Sequence, residues 1–223
     1  MNENTDKNKK HSAANHSRAL SSGCMDTYRT DSNRYLWLFS EIDKMLEKGR
    51  VILAIEGGSA SGKTTLAQIV SESYDCNVFH MDDFFLRPEQ RTRARFSEVG
   101  GNVDRERFYD EVLTPLLKNE TVTYRRFDCG TQTLGEPIVV APKPLTVIEG
   151  VYSMHPAFEE YYNLSLFLDI DPECQRERIL RRNTPKLATR FFEEWIPLEN
   201  IYFAKANVKD RCTHTVAVNA GFK

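Results

Sequence analysis

Residues 57–64 constrain the fold of this chain more than any other part of its sequence. They read GGSASGKT and satisfy the pattern GxxxxGK followed by Ser or Thr, in which glycines let successive backbone N–H groups converge on phosphate oxygens. A short apolar, β-branched run precedes the pattern at residues 51–55, and a helical pattern follows it from Lys63. Because nucleotide-binding loops occur in this strand–loop–helix context, the sequence predicts a phosphate-binding loop here rather than a structural turn.

The chemistry of phosphate binding gives each part of this loop a separate role. Lys63 is expected to neutralise the β- and γ-phosphates of a nucleotide, and the hydroxyl group of Thr64 is expected to ligate Mg²⁺. The helix that follows directs the positive end of its dipole at the same anion. The residues predicted to contact the nucleotide are Gly57, Gly58, Ser59, Ala60, Ser61, Gly62, Lys63, Thr64 and Thr65.

Strand and helix patterns alternate along the rest of the chain. Apolar runs typical of buried strands lie at residues 51–55, 76–81, 121–127, 145–149, 164–170 and 214–218. Amphipathic helical patterns lie at residues 63–74, 105–118, 172–182 and 189–207. This alternation indicates βαβ units around a parallel sheet. We therefore predict a three-layer α/β fold with a mostly parallel central sheet and a small antiparallel excursion at residues 121–142.

The first residues differ in composition from the remainder, and the whole composition limits the classes of partner. Residues 1–32 are polar and have almost no large apolar side chains, so they are predicted to form a disordered tail. A formal net charge of −2 with mixed signs argues against a nucleic-acid-binding surface. No apolar run approaches the roughly 20 residues of a membrane helix, and no signal peptide is evident. We expect a cytoplasmic protein without nucleic-acid or membrane partners, and a homo-oligomer stays open.

Acidic side chains follow two of the predicted strands. Asp82 and Asp83 come directly after the second strand, which we expect to lie beside the strand of the phosphate-binding loop. Ligands of such sheets bind beyond these strand ends, so a carboxylate there either takes the proton of an attacking hydroxyl or is an ordinary turn or cap residue. In an extended segment the two side chains point to opposite sides. Glu149 ends the strand at residues 145–149 and is a candidate to hold Mg²⁺ through a water.

The predicted helix at residues 172–182 carries a basic face. Arg178, Arg181 and Arg182 follow the spacing i, i+3 and i+4, which places them on one side of a helix. Such a face is either simply solvated or a lid that stabilises the charge of a transferring phosphoryl group.

Five segments of the sequence together resemble the uridine kinase and phosphoribulokinase superfamily, which also includes bacterial pantothenate kinase. They are GGSASGKTT, HMDDFF, GGNVDRERFYDEVLTPL, IEGVYSMHP and LFLDIDPECQRERILRRN. The resemblance runs from about residue 33 to the C-terminus and implies a kinase domain at residues 33–223. It implies transfer of the γ-phosphoryl group of ATP, with Mg²⁺, to a hydroxyl group of a small molecule such as a nucleoside.

The resemblance also implies catalytic roles for individual residues. Asp82 matches the catalytic base of the family, and Lys63 matches the lysine of its phosphate-binding loop. Arg178 and Arg181 resemble the arginines of its lid.

The resemblance is less complete for the residues that bind the acceptor in uridine kinases. Asp104 matches the aspartate that holds the ribose hydroxyls in uridine kinases, although it is also a candidate N-cap, and Glu149 matches the acid near Mg²⁺. Uridine kinases contact the pyrimidine through a Tyr and a His, where this chain has Phe127 and Gln132. The chain therefore resembles a divergent, uridine kinase-like branch whose acceptor need not be uridine.

Two alternatives stay open on the sequence alone. Within the kinases, the acceptor is a sugar phosphate or a vitamin precursor instead of a nucleoside. From another class, the chain is an ATPase or a regulatory nucleotide-binding protein, in which water takes the place of the acceptor. Asp82 beside an acceptor pocket favours the kinase.

Overall fold

A computed structural model describes residues 35–219 of the chain. The predicted tail at residues 1–32 and the predicted start of the domain at residue 33 lie outside the described residues. Apart from the first residue of the first helix, every element below lies in one compact unit that begins at Trp37. No helix among residues 35–219 combines the length and the apolar composition that crossing a membrane requires.

Seven strands lie within the described residues. They are β1 (Val51–Gly57), β2 (Cys76–His80), β3 (Val122–Asp128), β4 (Thr133–Val140), β5 (Leu145–Glu149), β6 (Leu164–Ile170) and β7 (His214–Val218). Five of them form a parallel sheet in the order β2-β5-β1-β6-β7, and β3 and β4 form a separate antiparallel hairpin. The predicted three-layer α/β class, with its antiparallel excursion, is confirmed.

The order of the strands corrects one prediction. The sequence predicts β2 beside the loop strand β1, but β5 lies between them, and Ile55 of β1 and His80 of β2 both pair with Glu149 of β5. All five residues of β5 are buried, whereas β2 alternates half-buried and buried residues as an edge strand does. Chain order does not specify this arrangement, because a helical crossover fixes the hand of a connection but leaves room for a strand added later.

Nine α-helices are present in the part of the chain that the structure describes. They are α1 (Leu36–Leu46), α2 (Lys63–Ser73), α3 (Arg93–Ser97), α4 (Arg105–Phe108), α5 (Thr114–Lys118), α6 (Pro172–Arg182), α7 (Pro185–Arg190), α8 (Ile196–Lys205) and α9 (Val208–Arg211). A π-helical turn joins α4 to α5, and another joins α7 to α8. The helix predicted at residues 189–207 therefore begins earlier, at Pro185. The Thr184 hydroxyl accepts a hydrogen bond from the Leu187 N–H, and proline favours the first helical turn.

The β3–β4 hairpin packs its inner face against the segment that leaves β2. Val122, Tyr124 and Phe127 of β3 are buried, and the ring of Tyr124 stacks on that of Phe84 at a centroid distance of 5.7 Å. Phe84 also meets Phe108 of α4 edge to face at 5.0 Å. This aromatic cluster fixes the hairpin and the start of α4 next to the segment that follows β2, where the candidate site lies.

Candidate active site

The predicted phosphate-binding loop leaves β1 at its carboxyl end and enters α2. Gly57 has a φ of +143°, and a Cβ atom at this position would lie 2.5 Å from the carbonyl oxygen of Leu168 in β6, so the chain can leave β1 here only with glycine. The side chain of Lys63 is buried, and its Nζ donates hydrogen bonds to the carbonyl oxygens of Gly57 at 2.7 Å and Gly58 at 2.9 Å. The ammonium group is therefore held against the loop backbone.

Side chains from α6 and α8 also hold the loop. The carboxylate of Glu199 in α8 accepts hydrogen bonds from the N–H of Ser59 at 2.9 Å and from its hydroxyl group at 2.5 Å. Gln175 of α6 donates to the carbonyl oxygen of Ser59 at 2.8 Å, and Arg178 donates to that of Ala60 at 3.1 Å. Sequence reasoning missed Glu199 and Gln175, because a single polar residue on a distant helix carries no local signal.

Replacing Glu199 by alanine should lower the free energy of unfolding by about 2 kcal/mol, because the N–H and the hydroxyl of Ser59 lose a charged acceptor. Glu199 is 5% exposed, so water replaces that acceptor poorly. Glu193→Ala, an exposed glutamate in the preceding turn, is the matched control and should stay within about 0.5 kcal/mol of the wild type. Denaturant unfolding measures both, and equal values for the two variants would contradict the expected role of Glu199.

A fully buried carboxylate lies directly before the loop. Glu56 accepts hydrogen bonds from the N–H groups of Gly57 at 2.8 Å and Met154 at 3.0 Å, and from the hydroxyl of Tyr202 at 3.1 Å. Burial raises the pKa of Glu56 to about 7, although these hydrogen bonds and the charge of Lys63 counteract it. Glu56 therefore joins β1, the segment after β5 and α8 beneath the loop. Sequence reasoning also missed Glu56, because a glutamate near the end of a strand has no pattern of its own.

Glu149, at the end of β5, meets the first turn of α2 and the end of β2. Its Oε1 accepts a hydrogen bond from the Thr64 hydroxyl at 3.1 Å and lies 2.6 Å from Nδ1 of His80. The hydrogen bond to Glu149 raises the pKa of His80. Hydroxyl and carboxylate oxygens suit Mg²⁺, which takes its other ligands from water and phosphate, so Thr64 and Glu149 fit such an ion. Between residues 35 and 219, no group of three or more His, Cys, Asp or Glu side chains is arranged to hold a metal alone.

Asp82 lies in a 3₁₀ turn (Met81–Phe84) directly after β2. Its carboxylate opens to solvent and has no hydrogen-bond or ion-pair partner in the described part of the chain. Protein atoms around it still desolvate the carboxylate and so raise the pKa of Asp82; Lys63 opposes this rise and Glu149 adds to it. These interactions place Asp82 within electrostatic range of the loop and of Glu149.

Asp83 occupies the next position of the same turn, but its carboxylate is paired with an arginine. Its Oδ2 lies 3.2 Å from Nε of Arg126 in β3, and its carbonyl oxygen accepts a hydrogen bond from Arg107 at 2.7 Å. The prediction of an extended segment at Asp82 and Asp83 is wrong, because these residues form a helical turn. The two carboxylates still differ, since one is paired with an arginine and the other is not.

Asp104 is almost completely buried at the start of α4. One oxygen caps the helix by accepting a hydrogen bond from the N–H of Arg107 at 3.2 Å. The other, Oδ2, has no hydrogen-bond partner and lies 3.6 Å from Nε of Arg107 and 3.7 Å from Nε of Arg87. The N-cap interpretation is therefore confirmed, and the second oxygen is buried beside the guanidinium groups of Arg107 and Arg87.

The two residues that replace the pyrimidine-binding pair of uridine kinases lie at the hairpin. Phe127 is buried, and the guanidinium of Arg91 lies over its ring at 5.5 Å. Gln132 sits in the hairpin turn with a φ of +61°, and its amide donates to the carbonyl oxygen of Cys129. The side-chain amide of Gln132 is therefore already hydrogen-bonded within the hairpin turn.

The two predicted lid arginines have different surroundings. Arg178 contacts the loop through the carbonyl oxygens of Ala60 and Ser61, at 3.1 and 3.5 Å. Arg181 is exposed one turn later on α6 and has no polar partner among the residues that the structure describes. Only Arg178 is brought to the loop in this arrangement.

Comparisons with known proteins agree with this geometry. A uridine kinase of Alkaliphilus metalliredigens is 25% identical over 143 residues, which cover 60% of this chain and 68% of that protein. A uridine kinase of Bacillus cereus is 28% identical over 147 residues, which cover 59% of this chain and 65% of that protein. The resemblance to the uridine kinase and phosphoribulokinase superfamily is confirmed. The chain spans about two thirds of the length of these uridine kinases.

The fold of this chain also recurs in a solved structure. A possible uridine kinase from Bacillus stearothermophilus superimposes with a TM-score of 0.58 at 22% identity, and the match covers 81% of this chain and 99% of that one. No protein-family model matches the chain. The identities to these kinases are modest, so the acceptor has to be argued from the residues themselves.

Proposed function

We propose that the chain is a kinase that transfers the γ-phosphoryl group of ATP to a hydroxyl group of a small molecule. The observation that carries the proposal is the carboxylate of Asp82, which has no partner among residues 35–219 and lies within electrostatic range of Lys63. A carboxylate in this position can orient an acceptor hydroxyl and take its proton. This arrangement favours a kinase over an ATPase or a regulatory nucleotide-binding protein, for which the loop and Glu149 would be sufficient.

In this proposal the loop and α2 hold the phosphates of ATP. Backbone N–H groups at residues 57–65 and the dipole of α2 attract the anion, and Lys63 places its charge at the β- and γ-phosphates. Thr64 and Glu149 would hold Mg²⁺, which when bound neutralises phosphate charge. Phosphoryl transfer passes through a loose transition state, so the chain contributes positioning and charge stabilisation, with Arg178 and Arg181 as the cations on α6.

The experiment that tests this proposal compares ADP release with and without candidate acceptors. Hydroxyl compounds are screened at saturating ATP and Mg²⁺, and the phosphorylated product is identified by mass spectrometry. Acceptor-dependent ADP release with one phosphoryl group added to the acceptor is the expected result. ADP release that is the same with every compound as with water would instead support the ATPase.

We expect uridine and cytidine to be poor acceptors, with kcat/KM at least ~100-fold below that of the best acceptor in the screen. A site that lacks the hydrogen-bonding groups for a polar ligand discriminates against it by orders of magnitude. Phe127 has no hydroxyl group, and the amide of Gln132 is bonded within its own turn. Steady-state kinetics with each nucleoside check this, and efficient, selective phosphorylation of uridine would contradict it.

A further inference from the structure

An open cavity lies beside a segment that pairs with the residues after Asp82: the Asp104 N–H donates to the carbonyl oxygen of Phe84 at 2.7 Å, and the Leu86 N–H donates to that of Asn102 at 3.4 Å. Residues 57–65 do not line this cavity. It has a volume of about 160 Å³ and is lined by residues 96–102, Tyr152 and the face of α8 that carries Leu198, Ile201 and Lys205. The two chain segments that form its walls lead directly to the candidate site. Asn102 lies two residues before Asp104, and Tyr152 lies three residues after Glu149.

The lining of this cavity includes three large apolar side chains that are exposed. Phe96 is 46% exposed, Leu198 is 39% exposed and Ile201 is 48% exposed. Large apolar side chains that are exposed together around a concavity commonly mark a binding site. The cavity therefore suits a ligand with an apolar body.

The cavity lining carries one acidic side chain that is paired and one lysine that is not. Among its described lining residues, Glu98 is the acidic one, and its carboxylate is already paired with Arg105 at 2.7 Å and with Arg95 at 3.6 Å. Lys205 is exposed and has no hydrogen-bond or ion-pair partner within residues 35–219. The cavity thus offers one uncompensated cation and no uncompensated anion from its lining.

Tyr152 connects the cavity to the reacting end of the site. It has a φ of +78°, a conformation that non-glycine residues seldom adopt outside functional or over-determined positions. Its ring packs on that of Tyr202 at 4.7 Å. Burial raises the pKa of Tyr152, its hydrogen bond to Asn102 opposes this, and the charges of Glu199, Glu56 and Asp82 raise it further. The phenol therefore lines the cavity on the segment that follows Glu149.

We propose that this cavity holds the body of the phosphoryl acceptor, and that the acceptor is an amphipathic hydroxyl compound with an apolar body and an anionic group. The proposal rests on the proposed function and deepens it. The hydroxyl group reaches Asp82, the apolar body contacts Phe96, Leu198 and Ile201, and the anionic group pairs with Lys205. Carboxylates and phosphates share the required chemistry.

Three probes with one common body test the proposal. They are 4-(hydroxymethyl)benzoate, 4-(hydroxymethyl)phenyl phosphate and the neutral 1,4-benzenedimethanol, and their dissociation constants are measured by calorimetry with ADP present. We expect the wild type to bind at least one anionic probe at least ~5-fold more tightly than the neutral one. The two anionic probes distinguish a carboxylate from a phosphate acceptor.

Variants on α8 assign that binding to the cavity. Lys205→Glu should remove the preference for the anionic probes, and Ile201→Ser should weaken all three probes about 5-fold because a half-exposed apolar contact is lost. Leu117→Ser and Lys118→Glu are matched controls, since both residues are exposed on α5, whose end bonds to Arg50 before β1. The controls should bind all probes as the wild type does.

The possible results test the inference and the proposed function separately. Equal binding of neutral and anionic probes, or a preference that survives Lys205→Glu, would overturn the inference while leaving a kinase with another acceptor. A second outcome combines selective binding that Lys205→Glu abolishes with no acceptor-dependent ADP release for any hydroxyl compound. This outcome would support the cavity as a binding site but would exclude it as the acceptor site of a kinase.

Discussion

Replacing Lys63 by alanine should reduce phosphoryl transfer at least ~100-fold, the usual effect of removing one preorganised donor from a site where charge develops. The structure holds the Lys63 ammonium against the loop through the carbonyl oxygens of Gly57 and Gly58, which leaves one of its three N–H donors for phosphate. The expected loss therefore appears in turnover at saturating ATP, and it is measured by product formation.

A second variant and a stability measurement distinguish loss of the Lys63 charge from loss of the folded state. Lys63 is 8% exposed, so Lys63→Met is a second variant, which retains the apolar stem and removes only the charge. Lys48→Met, at an exposed position before β1, is the matched control and should keep wild-type turnover. If Lys63→Met stays folded and also retains near-normal turnover, the assignment of residues 57–64 to phosphate binding fails.

The parts of the fold that the sequence predicts well are those specified by local pattern. The glycine-rich pattern of residues 57–64 predicts a loop, and the structure agrees, because a Cβ atom at Gly57 would lie 2.5 Å from the carbonyl oxygen of Leu168. The continuous apolar run of β5 predicts a strand buried on both faces, and all its residues are buried. The helix-capping role of Asp104 also follows from its position before α4.

The parts that the sequence does not predict depend on contacts between distant segments. To predict that β5 lies between β1 and β2, one would need to know how far apart the first crossover leaves those two strands. The hydrogen bonds of Glu199 and Gln175 to Ser59 join helices to a loop more than one hundred residues earlier. The helical turn at Met81–Phe84 is set by packing of Phe84 among aromatic rings. None of these features has a periodic or compositional signature.

Asp82→Asn should leave ATP affinity nearly unchanged and lower transfer to the acceptor at least ~100-fold, which corresponds to about 3 kcal/mol of transition-state stabilisation. Asparagine keeps the size of the side chain but cannot accept a proton. The Asp82 carboxylate has no partner in the described structure, so the substitution breaks no existing hydrogen bond. Calorimetry measures nucleotide binding, and product formation measures transfer.

The neighbouring carboxylate provides the matched control. Asp83 is paired with Arg126 at 3.2 Å, and the side chain of Arg126 is 58% exposed, so Asp83→Asn should cost at most ~1 kcal/mol of stability. It should change transfer by less than ~5-fold. Asp82 and Asp83 lie in a helical turn and not in an extended segment, so the expected milder effect rests on the ion pair of Asp83 with Arg126.

The pH dependence of transfer separates a base from a residue that only shapes the site. Only the ionised form of Asp82 can take a proton, and burial raises its pKa above that of an ordinary aspartate. Wild-type kcat/KM should therefore fall as the pH is lowered through this raised pKa, while the residual activity of Asp82→Asn should lack that decrease. If Asp82→Asn transfers as well as the wild type, or keeps the same acidic limb, or if Asp83→Asn is the more damaged variant, then Asp82 is not the base.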